Sequence, residues 1–123
     1  MTVRYTKDHE WVRVEGDIAV CGISTYAAEK LGDVVYAELP ALGRVVAKEE
    51  AIAVVESAKA ASDVYAPISG EVVGLNAEIE QQNWQVINDA PEGAGWFVKI
   101  RPSDLSELDG LMDGAIYAAY TKG

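Results

Sequence analysis

The sequence predicts a mainly β fold, a sandwich or flattened barrel, with a short helix near residues 25–31 and a helix at the C-terminal end. Three observations carry this. From Asp33 to about Trp84 the chain runs as short segments rich in Val, Ile and Ala, separated by Pro, Gly and charged turns. Before them, residues 9–14 and 18–22 flank Glu15-Gly16-Asp17, which reads as two strands joined by a tight turn. Finally, Pro40-Ala41-Leu42-Gly43-Arg44-Val45-Val46 returns 27 residues later as Pro67-Ile68-Ser69-Gly70-Glu71-Val72-Val73. Four identities in seven positions, in matching order, outweigh chance and suggest two halves related by a pseudo-twofold. Upstream, Val35-Tyr36-Ala37 precedes the first copy and Val64-Tyr65-Ala66 the second.

The helices have local signals. Ser24 is placed to cap a helix through Leu31, and Gly32 to stop it. Residues 95–100 read as a last strand. Pro102-Ser103-Asp104 then opens a helix with Leu105, Leu108, Leu111 and Met112 on one face, weakened or broken by Gly110 and Gly114. At 123 residues the chain fits one domain, with a core over about 5–100 and a helical extension over about 102–120.

Composition narrows the function. Half the residues are hydrophobic and the net charge is −10. That charge opposes binding to nucleic acid and docking on anionic membranes, and it suits partners with basic surfaces. The apolar runs are too short to span a bilayer. The lone cysteine, Cys21, excludes an internal disulfide and sits in a strand, where a packed thiol is expected. The lone histidine, His9, excludes a multi-histidine metal site, and no metal is expected. His9 reads as structural or as part of a cleft wall, and Trp11 and Trp96 as core or cleft-lining. No triad, phosphate loop or dinucleotide fingerprint appears, so the chain reads as a non-enzyme. The start, Met1-Thr2-Val3-Arg4, shows no signal or transit segment, which suggests a bacterial cytoplasm.

Between the repeat copies, residues 51–65 place two apolar strands around a polar, alanine-rich centre. That is a hairpin with Lys59 at or near its tip. Most turn lysines are merely solvated. This one lies between the halves of a repeat, among the small residues Ala58, Ala60 and Ala61, with Glu56 and Asp63 nearby. Such a mount suits a swinging arm: paired strands fix its origin, and small neighbours let it enter another protein's cleft.

The segment Glu56-Ser57-Ala58-Lys59-Ala60 resembles the lipoylation motif of the glycine cleavage H-proteins. Further resemblances are Asp8-His9-Glu10-Trp11-Val12, Gly22-Ile23-Ser24-Thr25-Tyr26-Ala27, Leu31-Gly32-Asp33-Val34-Val35, Glu38-Leu39-Pro40, Ala66-Pro67-Ile68-Ser69-Gly70-Glu71-Val72 and Gly95-Trp96-Phe97-Val98-Lys99-Ile100. The likeness spans roughly Tyr5 to Ile100. It implies a lipoyl/biotinyl-type β-sandwich, or barrel-sandwich hybrid, with lipoate amide-linked to Lys59. In that family a pyridoxal-phosphate glycine decarboxylase loads an aminomethyl group from glycine onto the arm. An aminomethyltransferase passes the one-carbon unit to tetrahydrofolate and releases ammonia, and dihydrolipoyl dehydrogenase reoxidises the arm with NAD. A lipoate ligase or octanoyltransferase attaches the arm, and the carrier catalyses none of these steps. The resemblance also implies a cleft that shelters the loaded arm, for which Glu10, Asp63 and Asp8 are the candidate carboxylates. The chain departs from the family at Ala58, where valine is common, at Asp8, where serine is frequent, and over Gln81-Gln82-Asn83-Trp84-Gln85-Val86-Ile87-Asn88. Other readings are a biotin carrier, which usually shows Met-Lys-Met at the tip, and a lipoyl relay protein serving other acceptors.

Overall fold

The structure, a computed structural model, describes residues 3–122. Met1 and Thr2, where the expectation of a start without a leader falls, and Gly123 lie outside the described residues. Two antiparallel sheets face each other. Strands β1 (Val3–Tyr5), β2 (Glu10–Glu15), β3 (Ile18–Ile23), β5 (Val45–Val46), β8 (Gly70–Leu75) and β9 (Val98–Pro102) form a six-stranded sheet in the order β1-β2-β3-β9-β8-β5. Strands β4 (Val34–Glu38), β6 (Ala51–Ser57) and β7 (Ala61–Tyr65) form a three-stranded sheet in the order β4-β6-β7. The lipoyl-type sandwich expected from the sequence is therefore the fold.

The core lies between the sheets. Val12, Ala19, Cys21, Val72, Val98 and Ile100 from the larger sheet meet Ile52, Ala53, Val55 and Val64 from the smaller one. Each fully buried Val or Ile contributes roughly 1.5–3 kcal/mol over an exposed one. Cys21 is buried as expected, and burial pushes its thiol well above the usual range. Trp11 is fully buried, and its indole N–H donates to the Pro91 carbonyl at 2.8 Å.

The repeat becomes a strand pair. Val45 lies opposite Glu71 and Val46 opposite Gly70, so the copies run antiparallel against each other. The Val72 amide donates to the Arg44 carbonyl and the Gly43 amide to the Val72 carbonyl, both at 2.8 Å. Gly70 is required by packing, because a Cβ there would fall 2.1 Å from the Arg101 carbonyl oxygen.

Helix α1 (Thr25–Leu31) begins and ends as its sequence signals predict. The Ser24 hydroxyl accepts from the Ala27 amide at 3.1 Å, and Gly32 adopts φ 86°. Three expectations are corrected. The run of strands to Trp84 stops at Leu75, and helices α2 (Ala77–Glu80) and α3 (Gln85–Asp89) follow. Asn76 causes the switch: its Oδ1 caps the Glu78 amide while its Nδ2 donates to the Ala94 and Trp96 carbonyls. The last strand starts at Val98 and not at 95, because the Gly95 and Trp96 amides are used in turns onto Ala90 and Gly93. The C-terminal helix is two pieces, a 3-10 helix (Leu105–Gly110) and α4 (Gly114–Lys122), and Leu105 is exposed rather than packed. Between the pieces Met112 pairs with Tyr5 as an isolated β-bridge.

Candidate functional site

Strands β6 and β7 form the predicted hairpin, with Glu56 opposite Ala61. The Ser57 amide donates to the Ala60 carbonyl at 2.8 Å, leaving Ala58 and Lys59 as the two residues of the turn. The Ser57 hydroxyl accepts from the Lys59 amide at 3.3 Å and the Ala60 amide at 3.2 Å. A serine at this position thus closes the turn from within, and β-pairing anchors it behind. Ala58, Lys59 and Ala60 are all exposed. The three ion pairs among the described residues lie elsewhere, so the Lys59 ammonium is left without a carboxylate partner. Its Cε lies 3.8 Å from where a Cβ on Gly32 would stand. The Lys59 stem thus runs beside the glycine that stops α1, at ordinary contact distance.

Beside Gly32 a groove of about 630 Å³ runs between α1 and the segment after α3, lined in part by Ala28, Asp33, Asn88 and Glu92. Its walls are tied together. Asn88 donates to the Gly32 carbonyl at 2.9 Å and accepts from the Val34 amide at 2.9 Å. Glu92 accepts from the Tyr5 hydroxyl at 2.6 Å and the Thr25 amide at 2.7 Å.

Glu10 begins β2 yet is only 2 % exposed, so it is no ordinary surface carboxylate. One oxygen accepts from the Thr6 hydroxyl at 2.5 Å and the other from the Tyr65 amide at 3.2 Å. Burial pushes its carboxyl up to about 7, opposed by those two hydrogen bonds and helped by the charge of Asp8. The cavity against it, bounded by residues including Cys21, Ile52, Val64 and Phe97, holds only about 10 Å³. The structure brings Asp8 and Glu10 together at the turn that leads into β2. Asp63 is exposed on β7 opposite Val54, two residues before the Tyr65 amide that Glu10 engages.

His9 adopts φ 71° in that turn, and its Nδ1 lies 2.7 Å from the Tyr117 hydroxyl. That hydroxyl also lies 2.7 Å from the Ser24 hydroxyl. Tyr26 and Tyr120 pack on the imidazole, and Tyr5 stacks on Tyr117 at 4.2 Å. Burial lowers the His9 pKa. His9 is therefore the anchor for α4, the structural role that the sequence offered as one of two.

A sequence profile of the family described as Glycine cleavage H-protein matches residues 3–123. The chain belongs to the glycine cleavage H-protein family. Among individual H-proteins, the chain is 60% identical over 116 residues to the glycine cleavage system H protein of Xanthobacter autotrophicus, covering 94% of this chain and 92% of that one. It is 51% identical over 113 residues to the corresponding protein of Thermus thermophilus, covering 92% and 88%. A crystal structure of a glycine cleavage system H protein from Mycobacterium marinum superposes with a TM-score of 0.87 at 34% identity, over 99% of this chain and 98% of that one. Membership in the H-protein family assigns this chain the lipoyl-carrier role in glycine cleavage. Among the described residues no helix is long and apolar enough to cross a membrane.

Proposed function

We propose that Lys59 carries lipoate in amide linkage and that the chain shuttles the aminomethyl group of glycine without catalysing any step. The observation that carries this is the exposed, carboxylate-free ammonium of Lys59 on a two-residue turn closed by Ser57. The residues fit the group. The amine is free to acylate, and Ala58 and Ala60 leave the approach open. When bound, the dithiolane supplies reversible disulfide chemistry on a long tether. Everything the chain itself does is positional.

Glu10, Asp8 and Asp63 are the carboxylates that would receive the ammonium of a loaded arm. Glu10 is supported by its burial, since an ionised carboxylate there gains most from a cationic partner. Reaching it requires the Thr6 hydroxyl to release its oxygen. Shelter of this kind would slow loss of ammonia from the arm. The partners on this reading are a pyridoxal-phosphate glycine decarboxylase, an aminomethyltransferase, dihydrolipoyl dehydrogenase, and a lipoate ligase or octanoyltransferase, in a bacterial cytoplasm.

Intact mass and peptide mapping after expression in a lipoate-supplied host test the attachment. One lipoyl group on Lys59 is the expected result. An unmodified Lys59 in folded protein, with an active ligase present, overturns it.

A further inference from the structure

The Lys59 turn carries almost no information of its own. Its flanks are Ala58 and Ala60, and the residue after them is Ala61. An enzyme that acylates this lysine meets a protein with nothing yet attached, so it must read the surface beside the tip. Enzymes that act later can read the arm itself.

The outer face of the three-stranded sheet offers such a surface. Tyr36 on β4 lies directly opposite Glu56 on β6, three residues before Lys59. At about 3.3 Å per residue this places Tyr36 roughly 10 Å from the tip. Tyr36 is 41% exposed, and its neighbour Val35 is 54% exposed. Trp84 meets the Tyr36 ring at 5.8 Å and 66°, edge to face, while packing against the core behind. Between them opens a groove of about 350 Å³, with Leu39, Leu75 and Ile79 on its apolar side and Glu38 on its rim. The Tyr36 hydroxyl donates to Glu38 at 2.9 Å. Glu38, Glu56 and Glu80 enter none of the three ion pairs among the described residues. Strand β4 is also a sheet edge, paired among the described strands with β6 alone.

We infer that the Tyr36–Trp84 groove with its Glu38 rim is the recognition surface for the enzyme that acylates Lys59. The matching surface on that enzyme is an apolar projection flanked by lysine or arginine. The inference rests on Lys59 being the acylated residue. Aromatic anchors of this kind commonly dominate docking energy, and the charged rim adds steering.

The test is the initial rate of lipoylation of the full-length unmodified protein by a purified lipoate-protein ligase with ATP and lipoate. Tyr36→Ser, Trp84→Phe and Glu38→Lys are compared with Val45→Ser, an exposed site in the other sheet. Circular dichroism and urea melts establish that each variant is folded. Tyr36→Ser and Glu38→Lys should each raise KM for the protein about tenfold, a step worth about 1.4 kcal/mol, with kcat nearly unchanged. Trp84→Phe should have a smaller effect in the same direction, and Val45→Ser none. If folded Tyr36→Ser and Glu38→Lys keep the wild-type KM, the inference is overturned, and normal lipoylation with impaired glycine decarboxylation would give the groove to a later partner instead. If the wild-type protein is itself not lipoylated, the reading of Lys59 fails first.

Discussion

The carboxylate of Glu10 accepts a hydrogen bond from the backbone amide of Tyr65 at 3.2 Å, joining the start of β2 to the outgoing strand of the Lys59 hairpin. A buried acid thus holds the leg of the hairpin that presents Lys59. Its raised pKa makes the contact pH-dependent. The fold disfavours the ionised form, since Glu10 titrates at about 7 instead of its ordinary 4.5. Below pH 4.5 the carboxyl is protonated in both folded and unfolded chains, and no penalty arises. Between 4.5 and 7 the unfolded chain ionises first, so stability falls as pH rises, and above 7 the loss is complete. The full loss is on the order of 3 kcal/mol. Glu10→Gln keeps the shape and removes the titration. Urea melts at pH 5 and pH 8 should show the wild type weaker at pH 8 relative to Glu10→Gln, and a constant gap between the two proteins would refute the burial argument.

Tyr117→Phe should loosen the C-terminal helix. The hydroxyl it removes lies 2.7 Å from both His9 Nδ1 and the Ser24 hydroxyl, and the Tyr5 stack remains. Loss of a hydroxyl from such a site costs about 1–3 kcal/mol, because its partners stay behind. Hydrogen exchange should show faster opening of residues 114–122, with protection of the Lys59 hairpin unchanged. Equal acceleration in both regions would mean that α4 is not an independent unit.

The parts of the fold that were legible in the sequence are those set by short-range rules. The Ser24 cap, the Gly32 stop and the Lys59 turn depend on residues within a few positions of one another. Glu10 was readable as a site residue but not as a buried one. It follows a histidine in a polar stretch, and the amide that justifies its burial lies 55 residues away. The helices at Ala77–Glu80 and Gln85–Asp89 are hidden from the sequence for the same reason. Asn76 looks like a turn residue until the Ala94 and Trp96 carbonyls are brought to its side chain. Gly95-Trp96-Phe97 has the composition of a strand, but its first two amides close local turns onto Ala90 and Gly93, which the composition does not reveal.

Gly70→Ala tests whether the second copy of the repeat must approach strand β9 as closely as it does. The added Cβ would fall 2.1 Å from the Arg101 carbonyl oxygen and 2.7 Å from Ile100 Cγ2, so backbone has to move. A loss of about 3 kcal/mol, at the upper end of overpacking effects, is expected in a urea melt. Gly43→Ala in the other copy meets nothing within 4 Å and pays only for its φ of 85°, about 1 kcal/mol. Equal losses at the two positions would show that conformation, and not contact, fixes the glycines.

Lys59→Arg separates the amine from the charge. The side chain is exposed and joins none of the three ion pairs among the described residues, so the fold has no need of it. Arginine keeps a cation beside Gly32, but its guanidinium does not form the amide that an ammonium lysine can form once deprotonated. The variant should melt within about 0.5 kcal/mol of wild type, as exposed substitutions do. It should take up no lipoyl group and support no glycine decarboxylation in a reconstituted system. Adding the wild-type protein to the same mixture should restore turnover, which shows that the partner enzymes are competent. Full turnover with Lys59→Arg alone would place the arm on another residue, and the geometry of the β6–β7 turn would then need a different explanation.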